Sequence, residues 1–211
     1  MVGRDWVAWH GAYGEEGHPL RDRLAAVVDL VATAVAAAPP GPVRVASLCA
    51  GDGRDLATAL ADHPRRADVV AHLVELDPTL AAAARRRLAT AGVAGEVVTG
   101  DAGHSGVLAG VVPVDVLLLV GIFGNVPDAD VERTIAAVPS LCRTGATVLW
   151  TRHRRAPDLT PAIRRWFDAA GCTRLALRTG DGEGRRAWTA GAEQVGAVAP
   201  FAPGPLFRFE A

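Results

Sequence analysis

The chain has 211 residues, half of them apolar, and a formal net charge of −1. This length and composition favour one α/β domain with a continuous core over two smaller ones. Because the charge is close to zero, no overall field attracts polyanions, and the sequence does not indicate a nucleic-acid partner.

Cysteine usage and the apolar runs bear on the compartment. The chain has three cysteines, Cys49, Cys142 and Cys172. Their odd number and the absence of a CxxC pair favour reduced thiols. The N-terminus has no continuous apolar stretch of the kind found in signal peptides. The longest apolar run, residues 24–38, is shorter than the roughly 20 residues needed to cross a bilayer. We therefore expect a cytoplasmic protein with no membrane partner.

A proline-rich break at residues 39–42 separates a leader from the core, since proline cannot continue a helix. Residues 20–38 carry apolar side chains at helical spacing and predict an amphipathic helix that packs on the core. Before this helix, four ring-bearing residues lie among glycines and acids, and we interpret them as a flap. They are Trp6, Trp9, His10 and Tyr13. We thus divide the domain, residues 1–211, into a flap and helix (1–38) and a core (43–211).

Short apolar runs alternate with stretches rich in Ala, Leu and Arg through the core. The predicted strands are residues 44–48, 69–74, 96–99, 115–120 and 147–150, followed by two late strands at 173–178 and 206–209. The predicted helices are residues 54–61, 78–90, 129–138 and 161–169. This alternation is typical of a doubly wound α/β fold, a mostly parallel sheet with helices on both faces.

The first predicted strand breaks into two closely spaced glycines, Gly51 and Gly53, before a helix begins. Glycines at such a point let the backbone approach a ligand and adopt conformations that a Cβ forbids. Many α/β proteins have a similar turn without a ligand, so the turn alone does not decide between the two interpretations.

Two acids follow the next two strands. Glu75 ends the second strand, where a carboxylate can accept hydrogen bonds from both hydroxyls of a ribose. Asp101 follows the third strand and can accept from the exocyclic amine of an adenine. Asp77 precedes Pro78 and is predicted to cap the following helix instead. The glycine turn, Glu75 and Asp101 together match the parts of one nucleoside ligand.

This ordered set resembles the class I S-adenosylmethionine-dependent methyltransferases over roughly residues 43–150. The resemblance implies S-adenosylmethionine as cofactor, S-adenosylhomocysteine as product, and a seven-stranded sheet whose last strand is antiparallel. No metal is expected, because the histidines are scattered and Cys49 belongs to the glycine turn. Residues 206–209 are the candidate for that strand. By the same match, nine residues are assigned to the cofactor: Cys49, Ala50, Gly51, Gly53, Glu75, Leu76, Asp101, Ala102 and Val120.

The match departs from the family pattern at two positions. Cys49 stands where an acid often precedes the glycine turn, and Asp55 stands where the fuller pattern has a third glycine. A dinucleotide-binding Rossmann protein is the rival interpretation, but Leu56 occupies a position where that fingerprint has a small residue. Asp101, facing an adenine, also favours the methyl donor.

The candidate acceptor site follows the fourth and fifth strands. Members of the family build the wall between cofactor and substrate after the fourth strand, which here suggests Phe123 and Asn125. A core contact is the alternative for Phe123. After the fifth strand, Arg152 can bind an acidic substrate and His153 can act as a general base, although a solvated Arg-rich segment is equally compatible.

The flap supplies the remaining candidates. His10 is a second candidate base, and Trp6, Trp9 and Tyr13 are suited to cover an apolar or aromatic acceptor, with docking onto the core as the alternative. We therefore expect methyl transfer to an oxygen, nitrogen or carbon atom of a small molecule in specialised metabolism. Two alternatives remain: a cyclase or lyase that binds the same cofactor, and a catalytically silent binding partner.

Overall fold

A computed structural model describes residues 19–181 and 186–209. The described residues form one seven-stranded sheet flanked by helices. The strands are β1 (Val43–Leu48), β2 (Val69–Glu75), β3 (Ala94–Thr99), β4 (Val114–Leu119), β5 (Cys142–His153), β6 (Cys172–Gly180) and β7 (Trp188–Val195). The α-helices are α1 (Pro19–Ala37), α2 (Arg54–Leu60), α3 (Pro78–Ala91), α4 (Asp128–Leu141) and α5 (Thr160–Ala169). Short 3-10 helices occupy Arg66–Asp68 and Ser105–Leu108.

The strand order is β3-β2-β1-β4-β5-β7-β6. Strands β1 to β5 pair in parallel, whereas β7 is antiparallel to both β5 and β6. The chain starts at the centre, moves outward through β2 and β3, and returns to β4 on the other side. Between β1 and β4 the order therefore reverses, which is where open α/β sheets bind ligands.

Two apolar cores cover the two faces of the sheet. Helices α1, α2 and α3 pack on one face through residues such as Val31, Leu56 and Ala84. Helices α4 and α5 pack on the other face through residues such as Ile135 and Phe167. Every residue of β4 is buried, as expected for a central strand covered on both sides. The predicted doubly wound architecture is confirmed.

The predicted leader helix is confirmed as α1, and one arginine holds its end. The Arg65 guanidinium donates to the carbonyl oxygens of Val35 (3.1 Å), Ala38, Pro39 (2.8 Å) and Gly41 (3.0 Å). The last carbonyls of a helix lack intrahelical donors, so the Arg65 guanidinium provides hydrogen-bond donors that the backbone does not. Neither α1 nor any other described helix has the length and apolarity needed to span a membrane.

The prediction for the last strand is wrong. The sheet is completed by β7, not by residues 206–209, which lie outside its ladder. The backbone of Leu206 is used elsewhere: its N–H donates to the carbonyl of Gly103 (2.8 Å), and its carbonyl accepts from Thr134 Oγ1 (3.1 Å). The β7 sequence is rich in Ala and Gly, which strands usually avoid, so local propensity does not reveal it.

Candidate functional site

A cavity of about 420 Å³ lies at the carboxyl edge of the sheet. Its walls come from the loops after β1, β2, β3 and β4, from α1, and from the C-terminal segment. This volume falls within the range of about 300–1,000 Å³ typical of small-molecule pockets. The cavity therefore coincides with the position that the strand order favours for a ligand.

The turn after β1 forms one wall through Cys49, Ala50 and Gly51. Cys49 and Gly51 have φ angles of 53° and 57°, and the Ala50 N–H donates to the carbonyl of Val74 (3.0 Å). Burial, together with the carboxylates of Glu75 and Asp101, raises the pKa of the Cys49 thiol, which is therefore protonated at neutral pH. Cys49 thus contributes a neutral surface where the family pattern often has an acid.

Gly53 does not line the cavity. Its φ is 66°, and a Cβ there would lie 3.2 Å from both the Cβ of Ala84 and the Cδ2 of Leu73. The second glycine of the turn is therefore explained by its tight packing against β2 and α3. The sequence assigned it to the cofactor because spacing does not distinguish a glycine that faces a ligand from one that faces a helix.

Glu75 holds the turn after β1 to the end of β2. Its side chain lines the cavity and the residue is 8% exposed. Oε2 accepts from the N–H of Gly51 (2.7 Å), and Oε1 accepts from the N–H of Asp77 (2.9 Å). An ionised carboxylate has about four acceptor positions, so Glu75 retains the capacity to accept from a diol.

Asp77 caps α3, as the sequence predicts. Its Oδ1 accepts from the N–H groups of Thr79 (2.7 Å) and Leu80 (3.0 Å), with Pro78 in the first turn. The two acids of this segment therefore have different roles, although both line the cavity. The predicted cap of α3 by Asp77 is confirmed.

The far wall of the cavity combines apolar groups with one acid. Leu76 lines it and is 68% exposed, which is unusual for a leucine and leaves a flat apolar surface uncovered. Ala102 and Val120 also line it. Asp101 Oδ1 accepts from the N–H of Gly103 (2.8 Å), which orients the carboxylate. This wall suits a planar base with a polar edge.

Two segments far apart in the chain complete the lining, and sequence analysis missed both. Helix α1 contributes Arg23, Leu24 and Val27, and the C-terminal segment contributes Phe209, whose ring meets Phe207 edge-on at 5.8 Å between centroids. Helical periodicity predicted that α1 packs on the core but not which part of it meets a cavity. Because the sequence predicts a strand at residues 206–209, it does not indicate that Phe209 lines a cavity.

Charged residues cluster where α2 begins. Asp52 is 5% exposed and paired with two arginines: Arg54 Nη2 lies 2.6 Å and Arg87 Nη2 lies 3.1 Å from its Oδ2. Asp55 is 8% exposed and lines the cavity, with Oδ1 accepting from the N–H of Leu56 (2.8 Å). Burial is the largest influence on Asp55 and raises its pKa to about 6.

The residues predicted to build the acceptor site after β4 do not line this cavity. Phe123 is fully buried and packs against Trp150, with 6.2 Å between ring centroids, which is the core contact kept as an alternative. Asn125 Nδ2 donates to the carbonyl of Gly121 (2.8 Å) and closes the turn. Gly121 itself does line the cavity.

The predicted pair after β5 also lies outside the cavity lining. Arg152 is buried; Nη1 donates to the carbonyl of Phe123, and Nη2 lies 3.2 Å from Asp128 Oδ1. Burial, the largest influence, lowers the pKa of Arg152. The ring of His153 lies against Gly124, where a Cβ would be 3.0 Å from its Cδ2. Arg152 thus holds the loop after β4 in place.

The remaining candidates fall in the flap. His10, Trp6, Trp9 and Tyr13 lie outside the residues that the structure describes. Within the described ranges, no cluster of three or more His, Cys, Asp or Glu side chains is arranged to hold a metal ion.

The strand order and the antiparallel β7 give this chain the fold of the class I S-adenosylmethionine-dependent methyltransferases. Comparison with known proteins finds no matching family model and no matching curated sequence. The likeness is to solved structures, at low sequence identity, and it concerns the fold.

Three of these structures show the range of that likeness. Magnesium protoporphyrin IX methyltransferase from Synechocystis PCC 6803, with bound S-adenosylmethionine, has 13% identity and a TM-score of 0.67, with 92% of each chain covered. An O-methyltransferase family protein from Burkholderia thailandensis has 21% identity and a TM-score of 0.60. That match covers 81% of this chain and 55% of the other, so this chain spans about half of it. The cyclase SpnF has 12% identity and a TM-score of 0.59, with 81% of this chain and 80% of SpnF covered.

Proposed function

We propose that this protein binds S-adenosylmethionine and transfers its methyl group to a small-molecule acceptor. The observation that carries this proposal is the Glu75 carboxylate, which lines the cavity and is held by the N–H of Gly51 across the β1–β2 gap (2.7 Å). A carboxylate oriented in this way, beside a backbone turn at the strand-order reversal, is well matched to a ribose.

The residues that line the cavity fit the parts of this ligand. Glu75 would accept from the ribose hydroxyls, and Asp101 would accept from the adenine amine. Leu76 and Ala102 offer apolar surface to the base, and the turn containing Gly51 faces the amino-acid end. All five residues line the cavity.

The chemistry requires positioning more than acid or base groups. When bound, the sulfonium supplies an activated methyl group: the acceptor lone pair forms the new bond while the carbon–sulfur bond breaks toward sulfur. The chain must hold the acceptor at roughly 3–3.5 Å and exclude water. We propose that Gly121 and Phe209, which line the cavity, contribute to this. An acceptor that keeps its proton at neutral pH needs a base. The candidates are His10 in the flap and His153, whose ring lies outside the lining of this cavity and would have to be reached by the acceptor beyond it.

We propose a small-molecule acceptor, in specialised metabolism, rather than nucleic acid. A near-neutral net charge gives no overall field that attracts a polyanion. The methyltransferase from Synechocystis named above acts, by its name, on magnesium protoporphyrin IX, which is not a nucleic acid. Trp6, Trp9 and Tyr13 are proposed to cover the acceptor. The free thiols of Cys142 and Cys172 fit the reducing cytoplasm.

A second candidate is a protein that binds the same cofactor without transferring its methyl group. The fold likeness to the cyclase SpnF favours keeping this candidate. Both functions require binding of the adenosyl ligand. Only methyl transfer releases S-adenosylhomocysteine in proportion to a methylated acceptor.

Calorimetry with S-adenosylhomocysteine, S-adenosylmethionine and NAD tests the proposal. We expect binding of the two adenosyl sulfur ligands and none of NAD. Asp101→Ala should weaken S-adenosylhomocysteine binding about 10-fold, the scale of a hydrogen bond to a charged group. Asp62→Ala, an exposed acid outside the cavity, serves as the matched control and should change nothing. Binding of NAD alone would refute the proposal.

Turnover is tested by release of S-adenosylhomocysteine in the presence of small phenols, alcohols and amines. Deleting residues 1–17 should reduce turnover more than it reduces S-adenosylhomocysteine affinity, because the aromatic flap is proposed to contact the acceptor. Equal turnover by the shortened and full-length chains would show that the flap is dispensable. Ligand binding without release by any acceptor would favour the second candidate.

A further inference from the structure

Asp55 is a buried carboxylate in the cavity wall that lacks an ionic partner. Its residue is 8% exposed, and no arginine or histidine among residues 19–181 and 186–209 forms an ion pair with it. Asp52, three residues earlier, differs in this respect because Arg54 and Arg87 both pair with it. The two acids are similarly buried, yet among the described residues only Asp52 forms ion pairs; Arg54 lowers the pKa of Asp55 without pairing with it, and burial outweighs this effect.

A buried carboxylate without a cation is energetically unfavourable, because the protein interior solvates charge poorly. The pKa of Asp55, raised to about 6 by burial, reports this penalty. The N–H of Leu56 satisfies one oxygen but brings no positive charge. A cationic group of a ligand in the cavity would remove the imbalance.

The position of Asp55 selects which ligand group this is. Asp55 lies beyond the turn after β1, whereas the groups proposed to bind the nucleoside, Glu75 and Asp101, follow β2 and β3. Arg23 and Arg54 also line the cavity. The cavity wall therefore carries both signs of charge: Arg54, at the start of α2, is paired with Asp52, and Arg23 comes from α1.

We propose that Asp55 binds the ammonium group of the methionine part of the adenosyl ligand. This inference rests on the proposed function. It assigns a specific role to the residue that replaces the third glycine of the family pattern. Asp55 then determines selectivity for ligands that carry the amine.

The test compares three ligands by calorimetry at pH 7.5. S-adenosylhomocysteine carries the amine, S-adenosyl-4-thiobutanoate is the same molecule without it, and methylthioadenosine lacks the whole amino-acid group. Wild-type protein should bind S-adenosylhomocysteine about 10- to 100-fold more tightly than the deaminated analogue, the range for a hydrogen bond between charged groups. Equal affinities in the wild type would overturn the inference without any variant.

Asp55→Asn is nearly isosteric and removes the buried charge. It should reduce the preference for the amine to less than about 3-fold while leaving methylthioadenosine affinity unchanged. Asp77→Asn is the matched control, because it removes a charge that lines the same cavity and keeps a capping side chain. This control should retain the wild-type preference.

The outcomes separate this inference from the proposed function. If Asp55→Asn keeps the full preference for the amine, the inference is wrong while binding of the adenosyl ligand stands. If both Asn variants lose the preference equally, a general electrostatic attraction explains it and the inference is also wrong. If the wild type binds none of the three ligands, the proposed function fails and takes the inference with it.

Discussion

Replacing Glu75 by alanine should weaken both the fold and cofactor binding. The structure shows why the fold is affected: the carboxylate accepts hydrogen bonds from the N–H groups of Gly51 (2.7 Å) and Asp77 (2.9 Å). Each hydrogen bond to a charged group contributes about 1.5–3 kcal/mol. Water can partly replace the lost acceptor at the cavity, so we expect a net loss of about 3 kcal/mol in the free energy of unfolding.

This loss should appear as a lower melting temperature. For a chain of this size, 1 kcal/mol corresponds to about 2–4 °C, so Glu75→Ala should melt about 6–12 °C below wild type. Asp77→Ala is the matched comparison, since it removes only the cap of α3. A lost cap costs about 1 kcal/mol, or about 2–4 °C.

Binding distinguishes the two variants further. S-adenosylhomocysteine titrations at 10 °C, where both variants remain folded, should show about a 10- to 100-fold loss for Glu75→Ala and little change for Asp77→Ala. Circular dichroism before each titration confirms the folded state. If Glu75→Ala melts and binds like wild type, neither its backbone contacts nor its proposed ribose contact is significant. If Asp77→Ala alone abolishes binding, the ribose ligand is Asp77.

Two further predictions concern the surrounding fold. Arg65→Met removes the donors to four carbonyls in the last turn of α1 and the segment that follows it, and it should destabilise the protein by about 2 kcal/mol. Hydrogen exchange should accelerate at residues 31–38 and not in α4. Glu193 is 2% exposed, and burial, its largest influence, raises its pKa from 4.5 to about 7. The unfolded chain releases this proton at about pH 4.5 and the folded chain only at about pH 7. The free energy of unfolding therefore falls as the pH rises between these two values, and the penalty is absent below about 4.5. The free energy of unfolding of Glu193→Gln, measured with urea, should therefore rise by about 2 kcal/mol relative to that of wild type as the pH goes from 5 to 8. A difference that does not change with pH would contradict this.

Features set by neighbouring residues were predictable from the sequence. The spacing of apolar residues in α1 and the continuous apolar run of β4 determine secondary structure through contacts within one element. The cap of α3 depends on Asp77 and the residues that follow it directly, so it too was readable. The same holds for the position of Glu75 and Asp101 at strand ends, because parallel strands bring their carboxyl ends to one edge.

Features that depend on long-range contacts required the tertiary structure. The Ala- and Gly-rich β7 is a strand because β5 and β6 flank it, and its own propensity is low. Gly53 is needed because Ala84, 31 positions later by residue number, packs against it. Arg23 and Phe209 meet at one cavity from opposite ends of the chain. No local pattern contains this information, because periodicity and capping report on neighbours along the chain, whereas a cavity wall is defined by neighbours in space.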